Sequence, residues 1–287
     1  MVAHNEEKKK TPPSNPPTAA FQDKKNGEGP IFNPSGQAII EFKNVFKSFG
    51  NFHVFKDFSL KIEQGQINFV IGRSGSGKSV MLKHILGFLK PDAGQILIYG
   101  QDSSQFNSRT WLEMRKKFGI LFQDSALFDS MNVFENVAFP IREHTHFKQP
   151  EIDEIVREKL FIVGLAKHET KMPSELSGGM KKRVALARAI ALNPDLVMFD
   201  EPTSGLDPII STVVDDLIKE TQKRLHSTFL VISHDMRATF RVADRISMLY
   251  NGKTIFSGNS KELQNAKDPL VQQFIHGATE GPFEIFY

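Results

Sequence analysis

One run of eight residues sets the interpretation of this sequence: Gly72-Arg73-Ser74-Gly75-Ser76-Gly77-Lys78-Ser79. The run follows an apolar segment, Ile67 to Ile71, and precedes a helical pattern from Ser79 to Leu89. Glycines at these places let successive backbone N–H groups point at a polyphosphate, and the following helix adds its positive N-terminal end. Lys78 would supply a charge for the β- and γ-phosphates, and Ser79 a hydroxyl for Mg²⁺. The pattern G-x-x-x-x-G-K-[ST] therefore predicts that residues 72–79 bind ATP or GTP.

Composition and charge are those of an ordinary globular protein of 287 residues, with 40% hydrophobic and 24% charged residues. The net charge of +3 is too small to indicate nucleic acid as a partner. No apolar run approaches the roughly 18 residues that span a bilayer, and no signal-peptide core is present. We expect a soluble, intracellular protein that would act on a membrane only through a partner. The absence of cysteine excludes disulfides and thiolate zinc sites.

The two ends of the chain differ from its middle. Residues 1–36 are rich in Lys, Pro, Asn and Gly without apolar periodicity, which predicts a disordered tail. Acidic residues nearly cancel its lysines, so a basic membrane anchor is the less favoured alternative. Residues 37–258 are predicted to form the nucleotide-binding domain, and residues 259–287 a C-terminal helix and an apolar tail. The tail ends in Phe283, Ile285, Phe286 and Tyr287 and should dock on its own domain or on a neighbouring subunit.

Strand and helix patterns alternate along residues 37–258. The predicted strands are 38–42, 54–62, 67–71, 96–99, 118–122, 196–199, 228–232 and 246–250. Between about 124 and 194 three helical patterns, 132–142, 151–163 and 178–192, follow one another with little strand signal. The sequence thus predicts an α/β, RecA-like P-loop nucleoside triphosphatase with a mostly parallel sheet, an antiparallel β portion and an inserted helical subdomain.

Two carboxylates follow the buried strand Leu196 to Phe199. Open parallel sheets bind ligands at the carboxyl ends of their strands. Asp200 is therefore the candidate to hold Mg²⁺, and Glu201 the candidate to accept the proton of an attacking water.

A second anion-binding helix start is predicted at Leu176-Ser177-Gly178-Gly179-Met180. Ser177 is a good N-cap, but each glycine costs about 1 kcal/mol relative to alanine in a helix. Glycines are expected here if a phosphate must approach the backbone at the positive end of the helix.

In their order along the chain, these motifs resemble those of the ATP-binding subunits of ATP-binding cassette (ABC) transporters over residues 38–258. The combination comprises residues 72–79, Gln123 at a strand end, Leu176 to Met180, Asp200-Glu201, Ser204-Gly205-Leu206-Asp207 and His234. The resemblance implies that two copies sandwich two ATP molecules. Met180 stands where the family usually has glutamine.

The resemblance also implies roles for individual residues. Gln123 would bridge Mg²⁺ and the transport subunit, and His234 would hold the γ-phosphate. Ser177, Gly178 and Gly179 would contact ATP held by the second copy, and Asp207 would link the two sites.

The family usually stacks an aromatic ring on adenine after its first strand. Phe49 matches that position best, with Phe46 and Phe52 as rivals and core packing as the alternative for each. Such stacking contributes roughly 1–3 kcal/mol and reads no base edge.

Several stretches are similar to one branch, the ATPases of Mla/Mce-type phospholipid transport systems. They are 122–128, 131–138, 140–145, 172–177 and 274–282. This resemblance implies a membrane permease docked near Gln123 to Arg142, further Mce-domain and small accessory subunits, and a peripheral position on the cytoplasmic face of the inner membrane.

Three alternatives are weighed against this interpretation. The ATPase of another transporter, such as a solute importer or a lipoprotein-releasing complex, shares some of the same stretches. A soluble ABC ATPase of DNA repair or ribosomes is disfavoured because the interval from Lys78 to Ser177 is short, cysteine is absent and there is one cassette. A P-loop kinase or GTPase does not explain Leu176 to Met180 or His234.

Overall fold

The computed structural model describes residues 38–283. Within that range the strands are β1 (Ala38–Phe49), β2 (Phe52–Glu63), β3 (Ile67–Gly72), β4 (Ala93–Ile98), β5 (Gln101–Asp102), β6 (Phe118–Leu121), β7 (Leu196–Asp200), β8 (Thr228–Ile232), β9 (Arg245–Tyr250) and β10 (Lys253–Gly258). The helices are α1 (Lys78–Ile85), α2 (Ser108–Lys116), α3 (Val133–His144), α4 (Gln149–Ile162), α5 (Gly178–Ala189), α6 (Pro208–Leu225), α7 (Met236–Val242), α8 (Ser260–Gln264) and α9 (Pro269–His276). Single 3₁₀ turns lie at Ser103–Gln105 and Pro173–Glu175.

Two sheets form the framework, as predicted. The larger sheet has the strand order β10-β9-β3-β8-β7-β6, and all its neighbouring pairs are parallel except β10 with β9. The smaller sheet has the order β2-β1-β4-β5 and is antiparallel. Every residue of β3 and β8 is buried, as expected of parallel strands covered on both faces.

The larger sheet lies between two hydrophobic layers, because the side chains of a strand alternate between its faces. In β3, Ile67, Phe69 and Ile71 join a cluster with apolar residues of the helices α3 to α6. Val70 joins the other cluster, with α1 and the smaller sheet. The sheet therefore holds the turn after β3 between two packed layers.

The inserted helices α3, α4 and α5 lie between β6 and β7 in the chain and pack on one another. A capping box starts α3: the Asn132 side chain accepts from the Glu135 N–H at 2.8 Å, and a Glu135 carboxylate oxygen accepts from the Asn132 N–H at 2.9 Å. Buried Asn136 then ties down the preceding loop through Phe128 and Met131. The exact limits of a helical subdomain at 124–194 stay a prediction.

The structure differs from the expected elements at several places. The helix predicted over 79–89 ends at Ile85, since Gly87 adopts a left-handed φ of 72° that ends helices. The helix predicted over 178–192 ends at Ala189. Sequence patterns missed α2, in which no residue is fully buried; its Trp111 and Met114 side chains pack against the core but stay partly exposed. They also missed β10, and the single C-terminal helix is two helices, α8 and α9.

The apolar C-terminal tail begins by packing on its own domain. The Phe283 ring lies 4.5 Å from that of Tyr250 and 5.9 Å from that of Phe274, between ring centroids. The Phe283 N–H donates to Gln273 Oε1 at 2.7 Å. The last four residues of the tail and the predicted disordered segment 1–36 lie outside the described residues.

His84 on α1 makes folding stability depend on pH. Its side chain is buried, Nδ1 lies 2.8 Å from the Val80 backbone oxygen, and burial lowers the pKa of the imidazole. The unfolded chain therefore binds a proton at His84, near pH 6.5, that the folded chain does not, so the free energy of unfolding falls as the pH drops below about 6.5. We expect the melting temperature of His84→Gln to fall less between about pH 7.5 and 5.5 than that of the wild type.

Thermal melts across this pH range, followed by circular dichroism, measure the effect. His146→Gln is the control because His146 is exposed in the α3–α4 loop and should keep the wild-type pH dependence. Equal slopes for His84→Gln and the wild type would contradict the prediction.

Candidate functional site

Four neighbouring parallel strands deliver the predicted site residues to one edge of the larger sheet. The strands β3, β8, β7 and β6 are adjacent in that order. Residues 72–79 begin at the last residue of β3, and His234 follows β8. Asp200 ends β7 with Glu201 directly after it, and Gln123 follows β6. Since all four strands run in the same direction, these groups meet at their carboxyl ends.

The loop at residues 72–79 has the curled backbone that its glycines predict. Gly72, Gly75 and Gly77 have φ values of 150°, 80° and 103°, which side-chain-bearing residues rarely adopt. A Cβ at Gly77 would lie 2.7 Å from a ring carbon of Phe55, so β2 closes one side of the loop. An alanine at Gly77 would therefore be strained in its backbone and crowded by β2.

Lys78 lies across this loop. Its side chain is buried, and Nζ donates to the backbone oxygens of Gly72 at 2.6 Å and Arg73 at 3.0 Å. Burial lowers the pKa of the ammonium, and the nearby Glu201 and Asp200 carboxylates oppose that shift. Lys78 thus holds a desolvated positive charge between the loop and the two carboxylates.

Glu201 has a conformation that its sequence does not predict. Its φ is 50°, in the left-handed region that non-glycine residues occupy at a cost and that is concentrated at functional sites. Its N–H donates to the Ile232 oxygen at 3.0 Å, which attaches the turn after β7 to β8. Glu201 Oε2 lies 2.8 Å from His234 Nδ1, so the structure brings these two predicted catalytic side chains together.

The side chains at this edge of the sheet suit a nucleotide polyphosphate with Mg²⁺. Burial and the neighbouring Glu201 raise the pKa of Asp200, so the pair of carboxylates would be stabilised by a cation. The Ser76 hydroxyl is buried and has no hydrogen-bond partner among the described residues. Mg²⁺ prefers oxygen ligands, which the Ser79 hydroxyl, the Asp200 carboxylate and the Gln123 amide oxygen would provide. The Gln123 Nε2 atom lies 3.4 Å from Ser204 Oγ, next to this site.

The helix start at Ser177 lies against the Asp207 loop. The Ser177 hydroxyl accepts from the Met180 N–H at 3.3 Å, as predicted for an N-cap. A Cβ at Gly179 would lie 2.7 Å from Ile210 Cγ2, and one at Gly178 would lie 3.2 Å from Leu206 Cδ2. The two glycines therefore have a packing reason as well as the predicted phosphate contact.

Asp207 is the N-cap of α6. One of its carboxylate oxygens accepts from the N–H groups of Ile209 and Ile210, both at 3.0 Å. Ser177 and Gly178 are exposed, and the Ile209 side chain is 76% exposed. Of the groups predicted to act across a dimer, Ser177, Gly178 and Asp207 are thus exposed, whereas Gly179 is buried.

Phe49 lies at the tip of the β1–β2 hairpin, and its ring is exposed, with Lys47 Nζ 5.5 Å from the ring centroid. The rivals Phe46 and Phe52 are exposed too. This excludes core packing for all three rings, and the choice of Phe49 for adenine stays a prediction.

Sequence reasoning missed Lys182 and Arg188, two cations of α5. Lys182 donates to the Gln123 backbone oxygen, and Arg188 donates to those of Ser125 and Ala126. Lys182 is buried. The helical pattern places position 182 in the core, where a lysine is unusual, and this signal could have identified it.

A groove of about 440 Å³ lies behind the Gln123 segment. Its lining combines apolar and cationic side chains and includes no carboxylate: Arg115, Lys116, Phe118, Gly119, Ile120, Phe122, Ala126, Phe128, Phe139, Pro140, His144, Arg188, Ala189, Leu192 and Pro194.

The parallel sheet, the curled loop after β3 and the carboxylates at the end of β7 define a P-loop nucleoside triphosphatase. Residues 55–204 match the ABC transporter family. The chain belongs to this family and is one of its transport-coupled ATPases, which confirms the resemblance of its motifs and rules out the kinase and GTPase alternatives.

Curated relatives match most of the chain. The intermembrane phospholipid transport system ATP-binding protein MlaF of Haemophilus influenzae is 45% identical over 251 residues, which are 88% of this chain and 95% of the relative. The probable ribonucleotide transport ATP-binding protein mkl of Mycobacterium leprae is 43% identical over 249 residues, which are 87% of this chain and 72% of the relative.

Solved structures show the same fold. CbiO1 of Clostridium perfringens, part of the ABC transporter complex cbiONQ, aligns with a TM-score of 0.75 and 29% identity over 80% of this chain and 92% of that one. A dimeric post-hydrolysis state of the ATP-binding cassette MJ0796, bound to ADP and Pi, aligns with a TM-score of 0.69 and 29% identity. The alignment covers 77% of this chain and 98% of that one.

Proposed function

We propose that two copies of this chain form an ATP-driven clamp that powers phospholipid transport between membranes of the cell envelope through a separate permease. The observation that carries the proposal is the convergence of residues 72–79, His234, Asp200-Glu201 and Gln123 at the ends of four adjacent strands. The phospholipid cargo is inferred from MlaF, which is similar over 95% of its own length.

Each copy would hold ATP on its own P-loop. The backbone N–H groups of residues 72–79 and the charge of Lys78 would bind the phosphates. Ser79, Asp200 and Gln123 would hold Mg²⁺, which would neutralise phosphate charge. Glu201 accepts the proton of the attacking water, and His234, 2.8 Å from Glu201, orients this carboxylate and the γ-phosphate.

The other half of each site would come from the second copy. Ser177 and Gly178 are exposed and, with Gly179 behind them, offer a helix start whose backbone N–H groups favour an anion. Asp207 lies next to them at the start of α6 and connects the two sites. The dimer described for the cassette MJ0796 supports this arrangement. Closure of the two copies would move the permease, and hydrolysis would reopen them.

The groove behind Gln123 would receive a helix of the permease. Its aromatic side chains suit an apolar helix face, and its cations, Arg115, Lys116 and Arg188, suit acidic groups on that helix. No helix of residues 38–283 is long and apolar enough to cross a membrane. We propose that the permease holds the chain at the cytoplasmic face of the inner membrane, that Mce-domain and small accessory subunits are further partners, and that nucleic acid is not one.

Phe139→Arg is expected to lower recovery of the permease with the tagged chain by at least about tenfold, the usual effect of a lost interface hot spot. Phe139 lines the groove and its ring lies 4.8 Å from that of Phe128, so an arginine would place a further positive charge in an already cationic groove. Pull-down from solubilised membranes measures the effect.

Phe161→Arg is the matched control, because Phe161 on α4 is 61% exposed and lies outside the groove. Melting temperatures show whether both variants fold. Equal recovery of the permease with the two variants would remove the groove from the proposed interface.

Purification of the full chain from solubilised membranes in mild detergent tests the proposal as a whole. A membrane permease and bound phospholipid in the complex are expected. The name of the mycobacterial relative makes ribonucleotide transport the second candidate, and a complex that binds ribonucleotide at its permease but no phospholipid would favour it. Recovery with ribosomes or DNA would favour a non-transport ATPase.

A further inference from the structure

Two cations of α5 hold the loop that leaves the ATP site. Lys182 is 5% exposed and donates to the backbone oxygen of Gln123. Arg188 donates through Nη2 to the Ser125 oxygen at 2.9 Å and through Nη1 to the Ala126 oxygen at 2.8 Å. These two residues stand six positions apart, about 9 Å along the helix axis. One rigid helix is therefore hydrogen-bonded to the segment 123–126 at two points.

The backbone of the segment 123–126 is strained. Ser125 and Ala126 have φ values of 63° and 45°, so two consecutive non-glycine residues occupy the left-handed region. Such a conformation is costly for a residue with a side chain and persists only where its surroundings impose it. The planar guanidinium of Arg188 is suited to this task, since its N–H groups reach two carbonyls in a fixed fork. Arg188 thus supplies hydrogen bonds that the strained turn requires.

The same segment joins the two functional regions of the protein. At one end is Gln123, whose side chain reaches Ser204 beside the ATP site. At the other end Ala126 and Phe128 line the groove, as does Arg188 itself, whose guanidinium carbon lies 5.6 Å from the Phe128 ring centroid. A helix that binds in the groove would touch Arg188. The helix α5, which carries Arg188, has Ser177 as its N-cap.

We propose that Lys182 and Arg188 are positioning residues that lock the 123–126 turn to α5, so that the groove, Gln123 and the Ser177 helix start move as one body. The inference rests on the proposed clamp. It adds that the 123–126 turn connects the binding of a permease helix in the groove with the ATP site. A partner helix that pulls Arg188 away from Ser125 and Ala126 would release the strained turn and displace Gln123. Neither residue touches the reacting atoms; both act through the backbone of the Gln123 loop.

The test measures hydrogen exchange and steady-state hydrolysis in the full-length chain. Lys182→Met and Arg188→Met should each make the amides of residues 123–128 exchange faster and lower kcat at least about tenfold, while KM for ATP changes less than about twofold. Because both side chains act on one segment, kcat of the double variant should fall by less than the product of the two single effects.

The conservative variants provide a second test. Lys182→Arg keeps a cation and a donor and should retain most of kcat, whereas Arg188→Lys cannot reproduce the fork and should retain little.

Lys181→Met is the matched control, since Lys181 is the neighbour of Lys182 on α5 and is only partly buried. It should retain wild-type exchange and kcat, and melting temperatures confirm that all variants fold. Wild-type exchange at 123–128 in both methionine variants, or the same loss of kcat in Lys181→Met, would overturn the proposal. Hydrogen exchange needs no ATP hydrolysis. If the wild-type chain failed to hydrolyse ATP, the proposed function would fail while the exchange data still decided whether the two cations hold the turn.

Discussion

Glu201→Gln is expected to bind ATP with nearly wild-type affinity and to hydrolyse it about 10²–10⁴-fold more slowly, the usual contribution of a general base. The amide has the size of the carboxylate but cannot accept the proton of the attacking water. Glu201 lies at the end of β7 with its carboxylate 2.8 Å from His234, and glutamine can occupy the same left-handed backbone at similar cost. The loss should therefore come from the chemistry of one side chain. Equilibrium binding of ATP and the rate of phosphate release separate the two effects.

Glu154→Gln is the control for this change, because Glu154 is exposed on α4, away from the strand ends. It should hydrolyse ATP at the wild-type rate. Unchanged turnover in Glu201→Gln would remove Glu201 from the role of base. Loss of ATP binding together with hydrolysis would show instead that the carboxylate holds the nucleotide.

Ser177→Arg is expected to abolish turnover while each copy still binds ATP. Ser177 is an exposed N-cap, and arginine would remove the cap and fill the space that a phosphate of the neighbouring copy would enter. The loop at 72–79 lies after a different strand of the same chain and should be unaffected. Binding is measured on the dilute chain, and turnover at concentrations at which the chain dimerises.

Mixing variants tests the second copy directly. Lys78→Ala and Ser177→Arg should each be inactive alone. A mixed dimer, however, has one site with an intact Lys78 and an intact Ser177, so up to about a quarter of wild-type turnover should return in an equal mixture. Equal loss of ATP binding and turnover in Ser177→Arg alone would count against a site completed by the second copy.

Much of the candidate ATP site was predictable because it depends on residues close together in sequence. The run Gly72 to Ser79 carries its own backbone requirements, and the left-handed glycines confirm them. Asp200-Glu201 and Gln123 were recognisable as polar residues at the ends of buried strands. The order of those strands is what places them together, and it follows from the usual behaviour of parallel sheets rather than from any local signal.

The contacts around the Gln123 loop were not predictable in the same way. Lys182 and Arg188 reach residues that lie 59 to 63 positions earlier in the chain. A lysine or arginine in a helix is usually a solvated residue, so the local sequence does not mark Arg188. The one signal for Lys182 is its place at a core position of the helical pattern. The left-handed turns at Ser125 and Glu201 were missed for a related reason, since neither residue type favours that conformation by itself.

The amino-acid sequence by itself determined the class of this protein, because phosphate binding needs particular residues in consecutive order. Only the tertiary structure decided how the ATP site is connected to the rest of the molecule. The hydrogen bonds from α5 to the 123–126 turn, the pair Glu201–His234 and the groove each join residues that are distant in sequence. Such contacts form only when the sheet and the inserted helices have packed, and their energy comes from burial and geometry that no short motif contains.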